Sequence, residues 1–217
     1  MKHSDDDIIH EIQAKYVTSL VPPRDALLSK MEALAATRRE PISDPEVATL
    51  LATLVMMTGA KRVVEVGTNI GYGAIVMARA GAYVVTIEKS PELCEMARGF
   101  AKEAGLASQI DVRQGDALEV LASLPNDFDL AYVDCVKEDY PRYLELLEPR
   151  ARIVVADNVL WRGLVALKDD KDMPETEYAR VLGLRAFNKA ITSPPWNGVI
   201  LPFGDGVALA VRSRLGG

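Results

Sequence analysis

The chain has 217 residues, 49% of them hydrophobic and 26% charged, with only two cysteines and two histidines. That length suits one well-buried domain and not two of ordinary size, and the composition is that of a folded globular protein. The 25 Lys and Arg against 31 Asp and Glu give a net charge of −6, which disfavours a function that begins by gripping a phosphate backbone. No charged-then-apolar leader opens the chain, and no apolar run approaches the ~20 residues of a bilayer span, so a cytoplasmic location is expected. Cys94 and Cys135 lack CxxC spacing and read as reduced thiols. His3 and His10 both lie at the extreme N-terminus, which weighs against a histidine metal site or a Ser-His-Asp triad.

Ser4 with Asp5, Asp6 and Asp7 predicts a helix start, and Ile8, Ile12 and Tyr16 at fourfold spacing predict a short amphipathic helix ended by Pro22 and Pro23. A second helix is expected over about 24–39. A third opens at Ser43-Asp44-Pro45-Glu46, where Ser43 and Glu46 have capping-box spacing. Residues 1–42 thus read as a helical annex to a core of 43–217, the whole forming one domain.

From Lys61 the texture becomes short apolar runs alternating with amphipathic segments, the pattern of a Rossmann-like α/β fold with a doubly wound parallel sheet. Strands are expected at 62–66, 83–88, 110–113, 128–133, 152–156, 198–201 and 207–211, with helices near 72–80, 91–104, 117–123, 140–147 and 177–191. The five residues 202–206 are too few for a crossover, so the last two strands form an antiparallel hairpin.

The run VVEVGTNIGYG places Glu65, Gly67, Gly71 and Gly73 where the first strand gives way to a helix, at the edge where open α/β folds bind ligands. The spacing departs from GxGxxG, since a dinucleotide fingerprint would put its second glycine at Asn69. Glu88 ends the second strand roughly twenty residues later, where an acid can accept both hydroxyl hydrogens of a ribose. An acid at Glu65 conflicts with a bound pyrophosphate and suits a cofactor carrying an ammonium group. Asp116, after the third strand, is placed to reach an adenine edge or to cap the next helix. Taken singly, the glycines read equally well as turn residues and Glu88 as a solvated strand end; the order strand, glycine turn, helix, strand, acid favours a cofactor site.

Asp134 follows the fourth strand in AYVDCVKEDY, and Asp157-Asn158 follow the fifth in IVVADNVLW. If those strands are neighbours, ~4.8 Å apart, two carboxylates and an amide oxygen converge into a hard oxygen site suited to Mg²⁺, Ca²⁺ or Mn²⁺. Such an ion can chelate two adjacent substrate oxygens, and Lys137 is placed to take a proton from one. The plainer alternatives are a turn at Asp157-Asn158 and a surface lysine. Trp161 reads equally as a wall of an acceptor pocket or a packing anchor, and the polar stretch 168–177 as a lid or a solvated loop.

VEVGTNIGYG, TIEKS, VDCVKEDY, ADNVLWRG and LPFGDGVAL together resemble successive motifs of the cation-dependent class I O-methyltransferases, the catechol and caffeoyl-CoA group, from about Ser43 to the C-terminus. The resemblance implies a seven-stranded sheet with a reversed last strand, S-adenosylmethionine as cofactor and a homodimer. It implies Asp134, Asp157 and Asn158 as metal ligands, Lys137 as general base, and Glu65, Gly67 and Glu88 as cofactor contacts; Gly71, Gly73, Asp116 and Asp134 complete the expected cofactor set. Val136 departs from the tryptophan of the catechol enzymes and the acid of plant caffeoyl-CoA enzymes. The expected acceptor is a small aromatic vicinal diol. Methylation of a tRNA wobble hydroxyuridine is a second reading, disfavoured by the acidic balance, and an NAD-dependent oxidoreductase a third, opposed by the glycine spacing and Glu65.

Overall fold

The computed structural model describes residues 11–167, 173–202 and 204–213. Three helices lead the chain: α1 (Glu11–Ser19), α2 (Ala26–Arg38) and α3 (Pro45–Thr58). The alternating region follows as β1 (Arg62–Val66), α4 (Tyr72–Arg79), β2 (Tyr83–Glu88), α5 (Pro91–Glu103), β3 (Ile110–Gln114), α6 (Ala117–Ser123), β4 (Phe128–Val133), α7 (Tyr140–Leu147), β5 (Ala151–Ala156), α8 (Tyr178–Ile191), β6 (Trp196–Leu201) and β7 (Val207–Arg212). Each expected strand and crossover helix is present, with ends displaced by at most two residues.

The seven strands form one sheet in the order β3-β2-β1-β4-β5-β7-β6. Strands β1 to β5 run parallel, β7 is antiparallel to β5, and β6 pairs antiparallel with β7. The reversal follows from the short 202–206 connection, which lets β7 slip between β5 and β6. Parallel strands covered on both faces need apolar side chains pointing both ways, and β1 shows it. Val63 belongs to the core beneath α2–α5, whereas Val64 and Val66 belong to the core beneath α6–α8. Helix α2 is part of that packing, since its Met31 and Ala35 are buried in the first cluster.

Two local expectations are corrected. The capping box at α3 does not form: Asp44 is the N-cap without a side-chain cap bond, and the Ser43 hydroxyl turns inward to the Tyr132 hydroxyl at 2.9 Å. A buried phenol needs a partner more than an exposed helix end does. On α1, Ile12 and Tyr16 stand largely exposed among the described residues; Ser4 to Ile8 and both histidines lie outside the described residues. No helix among the described residues is long and apolar enough to cross a membrane.

Candidate active site

The carboxyl ends of β1, β2, β4 and β5 share one edge of the sheet, and a cavity of about 610 Å³ opens there. Glu65, Gly67, Gly73, Glu88, Asp134, Lys137, Asp157, Asn158 and Trp161 all line it. The parallel register makes this inevitable for the two aspartates. Val133 pairs with Ala156, so Asp134 and Asp157 each occupy the first position past their strand, and the Asp157 amide donates to the Val133 carbonyl at 3.0 Å.

On the β1–β2 side, Glu65 is 1% exposed. Its carboxylate accepts from the Thr86 hydroxyl at 2.5 Å. Burial, with the Asp134 and Glu88 charges adding, pushes its carboxyl up to about 8. Among the described residues no cation pairs with it, and an ammonium group would satisfy it. Gly73 leaves room for that carboxyl, because a Cβ would stand 2.3 Å from Glu65 Oε1 and push it aside. Gly67, at φ 105°, answers to the sheet as well: a Cβ would meet the Asp134 carbonyl at 2.1 Å. Gly71, at φ 89°, takes a left-handed conformation that favours glycine and also sits close against Ala97 of α5. Glu88 is pinned at both oxygens, by the Asn69 and Ser90 amides at 2.9 Å each, so the carboxylate reaches the cavity already oriented. Of its two expected roles Asp116 shows the cap, accepting from the Leu118 amide at 3.0 Å.

On the β4–β5 side, Lys137 Nζ donates to Asp134 Oδ1 and to the Tyr140 hydroxyl, each at 2.7 Å. Lys137 is 7% exposed and sits in a 3₁₀ turn, Lys137–Asp139, leading into α7. Asp157 is held at three points: Oδ1 by the Asn158 amide at 2.7 Å, Oδ2 by the Tyr132 hydroxyl at 3.3 Å, and its carbonyl by the Tyr140 hydroxyl at 3.0 Å. Burial, and then the neighbouring Asp134 charge, push its carboxyl up to about 7. Two crowded carboxylates and an amide oxygen make a hard donor set that a dication would neutralise. Among the described residues no group of three or more His, Cys, Asp or Glu is poised to hold a metal. Val136 lines the cavity half-exposed, and Trp161 stands with its backbone in the left-handed region at φ 47°.

Sequence reasoning missed Ser43, Tyr132 and Tyr140, the hydroxyls that orient Asp157 and Lys137, and also Arg180, which lines the cavity from α8. The available signal was a tyrosine near the end of β4, next to apolar neighbours, and another at the start of α7. Of the 168–177 stretch, 168–172 lie outside the described residues, while Met173 is buried and Glu175–Glu177 form a 3₁₀ turn.

A Rossmann-like sheet with a reversed β7 and an acid-glycine turn at the β1 edge is the architecture of a class I methyltransferase. Residues 27–213 match the family model described as O-methyltransferase, and the chain belongs to this family. It is 36% identical over 183 residues to tricin synthase 2 of Oryza sativa subsp. japonica, a match covering 78% of this chain and 63% of that protein. It is 32% identical over 217 residues to a catechol O-methyltransferase of Niastella koreensis, covering 94% and 97% respectively. Among solved structures, the O-methyltransferase from Bacillus cereus in complex with SAH superposes with a TM-score of 0.81 at 28% identity, covering 93% of this chain and 97% of that one.

Proposed function

We propose that the protein transfers a methyl group from S-adenosylmethionine to one hydroxyl of a small aromatic vicinal diol, with a divalent cation as cofactor. The observation that carries this reading is the convergence of Asp134, Asp157, Asn158 and Lys137 in the cavity that also contains Glu65 and Glu88. S-adenosylmethionine supplies an electrophilic methyl on its sulfonium, and Mg²⁺, or Ca²⁺ or Mn²⁺, supplies Lewis acidity toward two adjacent oxygens.

The protein's own residues supply binding, orientation and proton handling. Glu65 would hold the cofactor's ammonium group, and Glu88, with both oxygens already fixed, its ribose hydroxyls. Asp134, Asp157 and Asn158 would hold the cation. Lys137 Nζ would receive the proton that the reacting hydroxyl gives up. As arranged it donates to Asp134 Oδ1, so it can act as a base only once that carboxylate is engaged elsewhere. Tyr140 keeps Nζ in place while this happens.

The buried carboxyl of Glu65 also supports this reading over a dinucleotide enzyme, whose anionic pyrophosphate would face an acid that gains nothing from it. The resemblance to the family adds a homodimer, which the exposed apolar side chains Ile12, Tyr16, Leu20, Met56 and Met57 support. Incubation with methyl-labelled S-adenosylmethionine and catechol is expected to give a singly methylated product with Mg²⁺ and none in EDTA. Full turnover in chelator overturns the cation's role, and no transfer to any aromatic diol overturns the acceptor class.

A further inference from the structure

Trp161 and Arg180 line the cavity, and a single carboxylate behind them bonds both. Glu177 Oε2 accepts from the Trp161 indole N–H at 2.8 Å and from Arg180 Nη1 at 3.1 Å, while its Oε1 accepts from Arg162 Nη2 at 3.0 Å. The Glu177 side chain is only 15% exposed. The indole hydrogen bond, then the Arg180 hydrogen bond and the charges of Arg162 and Arg180, hold its carboxyl below the usual range against the opposing effect of burial. The guanidinium carbons of Arg162 and Arg180 lie 5.1 and 5.7 Å from the indole ring centre. Arg180 is secured from its other side by Glu138 at 3.4 Å.

An exposed ion pair contributes little, but three donors from two distant segments converging on one shielded carboxylate fix geometry. The indole needs fixing. Trp161 at φ 47° and Arg162 at φ 53° are both non-glycine residues in the left-handed region, which persists only where surroundings over-determine it. The Asp205 carboxylate, accepting from the Arg162 amide, is one such restraint, and Glu177 is the restraint on the side chain.

We propose that Glu177 is a positioning residue of the acceptor site, holding the Trp161 indole and the Arg180 guanidinium as a fixed wall against which a flat aromatic acceptor stacks. This rests on reading the cavity as the site of aromatic diol methylation. A preoriented indole offers area without an ordering cost, so its loss falls on acceptor affinity and not on the reacting groups.

The test compares Glu177→Ala, Glu177→Gln, Trp161→Phe and the Glu177→Ala/Trp161→Phe double variant, with catechol as acceptor and saturating S-adenosylmethionine and Mg²⁺. Glu177→Ala is expected to raise the acceptor KM about tenfold with kcat within about threefold, and Glu177→Gln, which still accepts from the indole, to recover most of it. In the Trp161→Phe background the Glu177→Ala effect is expected to shrink, leaving only the part that runs through Arg180. Acrylamide quenching, with Trp161→Phe used to subtract the buried Trp196, is expected to show Trp161 more accessible in Glu177→Ala. An unchanged KM, an equal KM effect in the Trp161→Phe background, or unchanged quenching overturns the proposal. If the wild type methylates no aromatic diol, the functional reading fails, and quenching alone then decides whether Glu177 holds the indole.

Discussion

The two walls of the cavity are built on different principles. The β1–β2 wall comes from one stretch of chain, 65–88, in which strand, glycine turn, helix and strand follow without interruption, and its acids are fixed by backbone and neighbouring hydroxyls. The acceptor wall is assembled across the sequence: Trp161 from the loop after β5, Glu177 and Arg180 from the start of α8, and Glu138 from the turn before α7. On the proposed reading the first is a preoriented receptor for the cofactor. The second is held by side-chain pairs that single substitutions can rewire, as expected for the part that sets the acceptor.

Removing the cation should break this contrast most completely. EDTA is expected to abolish methyl transfer reversibly while cofactor binding, measured by calorimetry, stays within a few-fold, since Asp157 and Asn158 are assigned to the acceptor side. Asp157→Ala is expected to do the same irreversibly. A large loss of cofactor affinity in either case would mean that the two walls are one coupled site.

Lys137 sits between the walls, and its substitution ranks next. Positioned proton transfer is typically worth about 10²–10⁴ in rate, so Lys137→Ala is expected to lower kcat by that range with the cofactor still bound. Lys137→Arg is expected to give no rescue, because arginine keeps the charge on Asp134 but does not release its proton. Near wild-type turnover of the arginine variant would leave Lys137 as a partner of Asp134 only.

On the cofactor wall, Glu88→Ala is expected to weaken S-adenosylmethionine binding at least about tenfold, from the loss of charge-assisted hydrogen bonds to the ribose. Unchanged affinity by calorimetry would remove the ribose assignment.

The same contrast explains what the sequence could reveal. Local order was legible: hydrophobic runs fixed the strands within two residues, and the five-residue link forced the hairpin that places β7 against β5. Asp134 and Asp157 were legible because parallel register brings consecutive strand ends together. The contacts of Tyr132 with Ser43, and of Glu177 with Trp161, join residues 89 and 16 positions apart, and no periodicity encodes such pairs. Ser43 shows the failure most clearly. Its capping-box spacing is a correct local signal, overridden by a buried phenol that needed a partner.

Glu65 gives the sharpest test of the cofactor wall as a receptor for positive charge. An ordinary glutamate titrates near 4.5, and in the fold Glu65 holds its proton to about 8. Between those values the native state binds more protons than the unfolded chain, so stability falls as pH rises through the window and levels off above it. Glu65→Gln removes this slope. The variant is expected to match the wild type near pH 4.5 and to exceed it increasingly toward pH 8, by an amount on the order of a few kcal/mol at most. In a domain of this size each kcal/mol corresponds to a Tm higher by about 2–4 °C. The same substitution is expected to weaken S-adenosylmethionine binding, because the ammonium group loses its carboxylate, and wild-type binding near pH 7 is expected to release protons into the buffer. Calorimetry in two buffers of different ionisation enthalpy measures that release, and thermal melts from pH 5 to 8 measure the slope. Parallel melting curves for the two proteins, with no proton release on binding, would show that Glu65 is already ionised in the fold and has a charge partner of its own, leaving no deficit for the cofactor to fill.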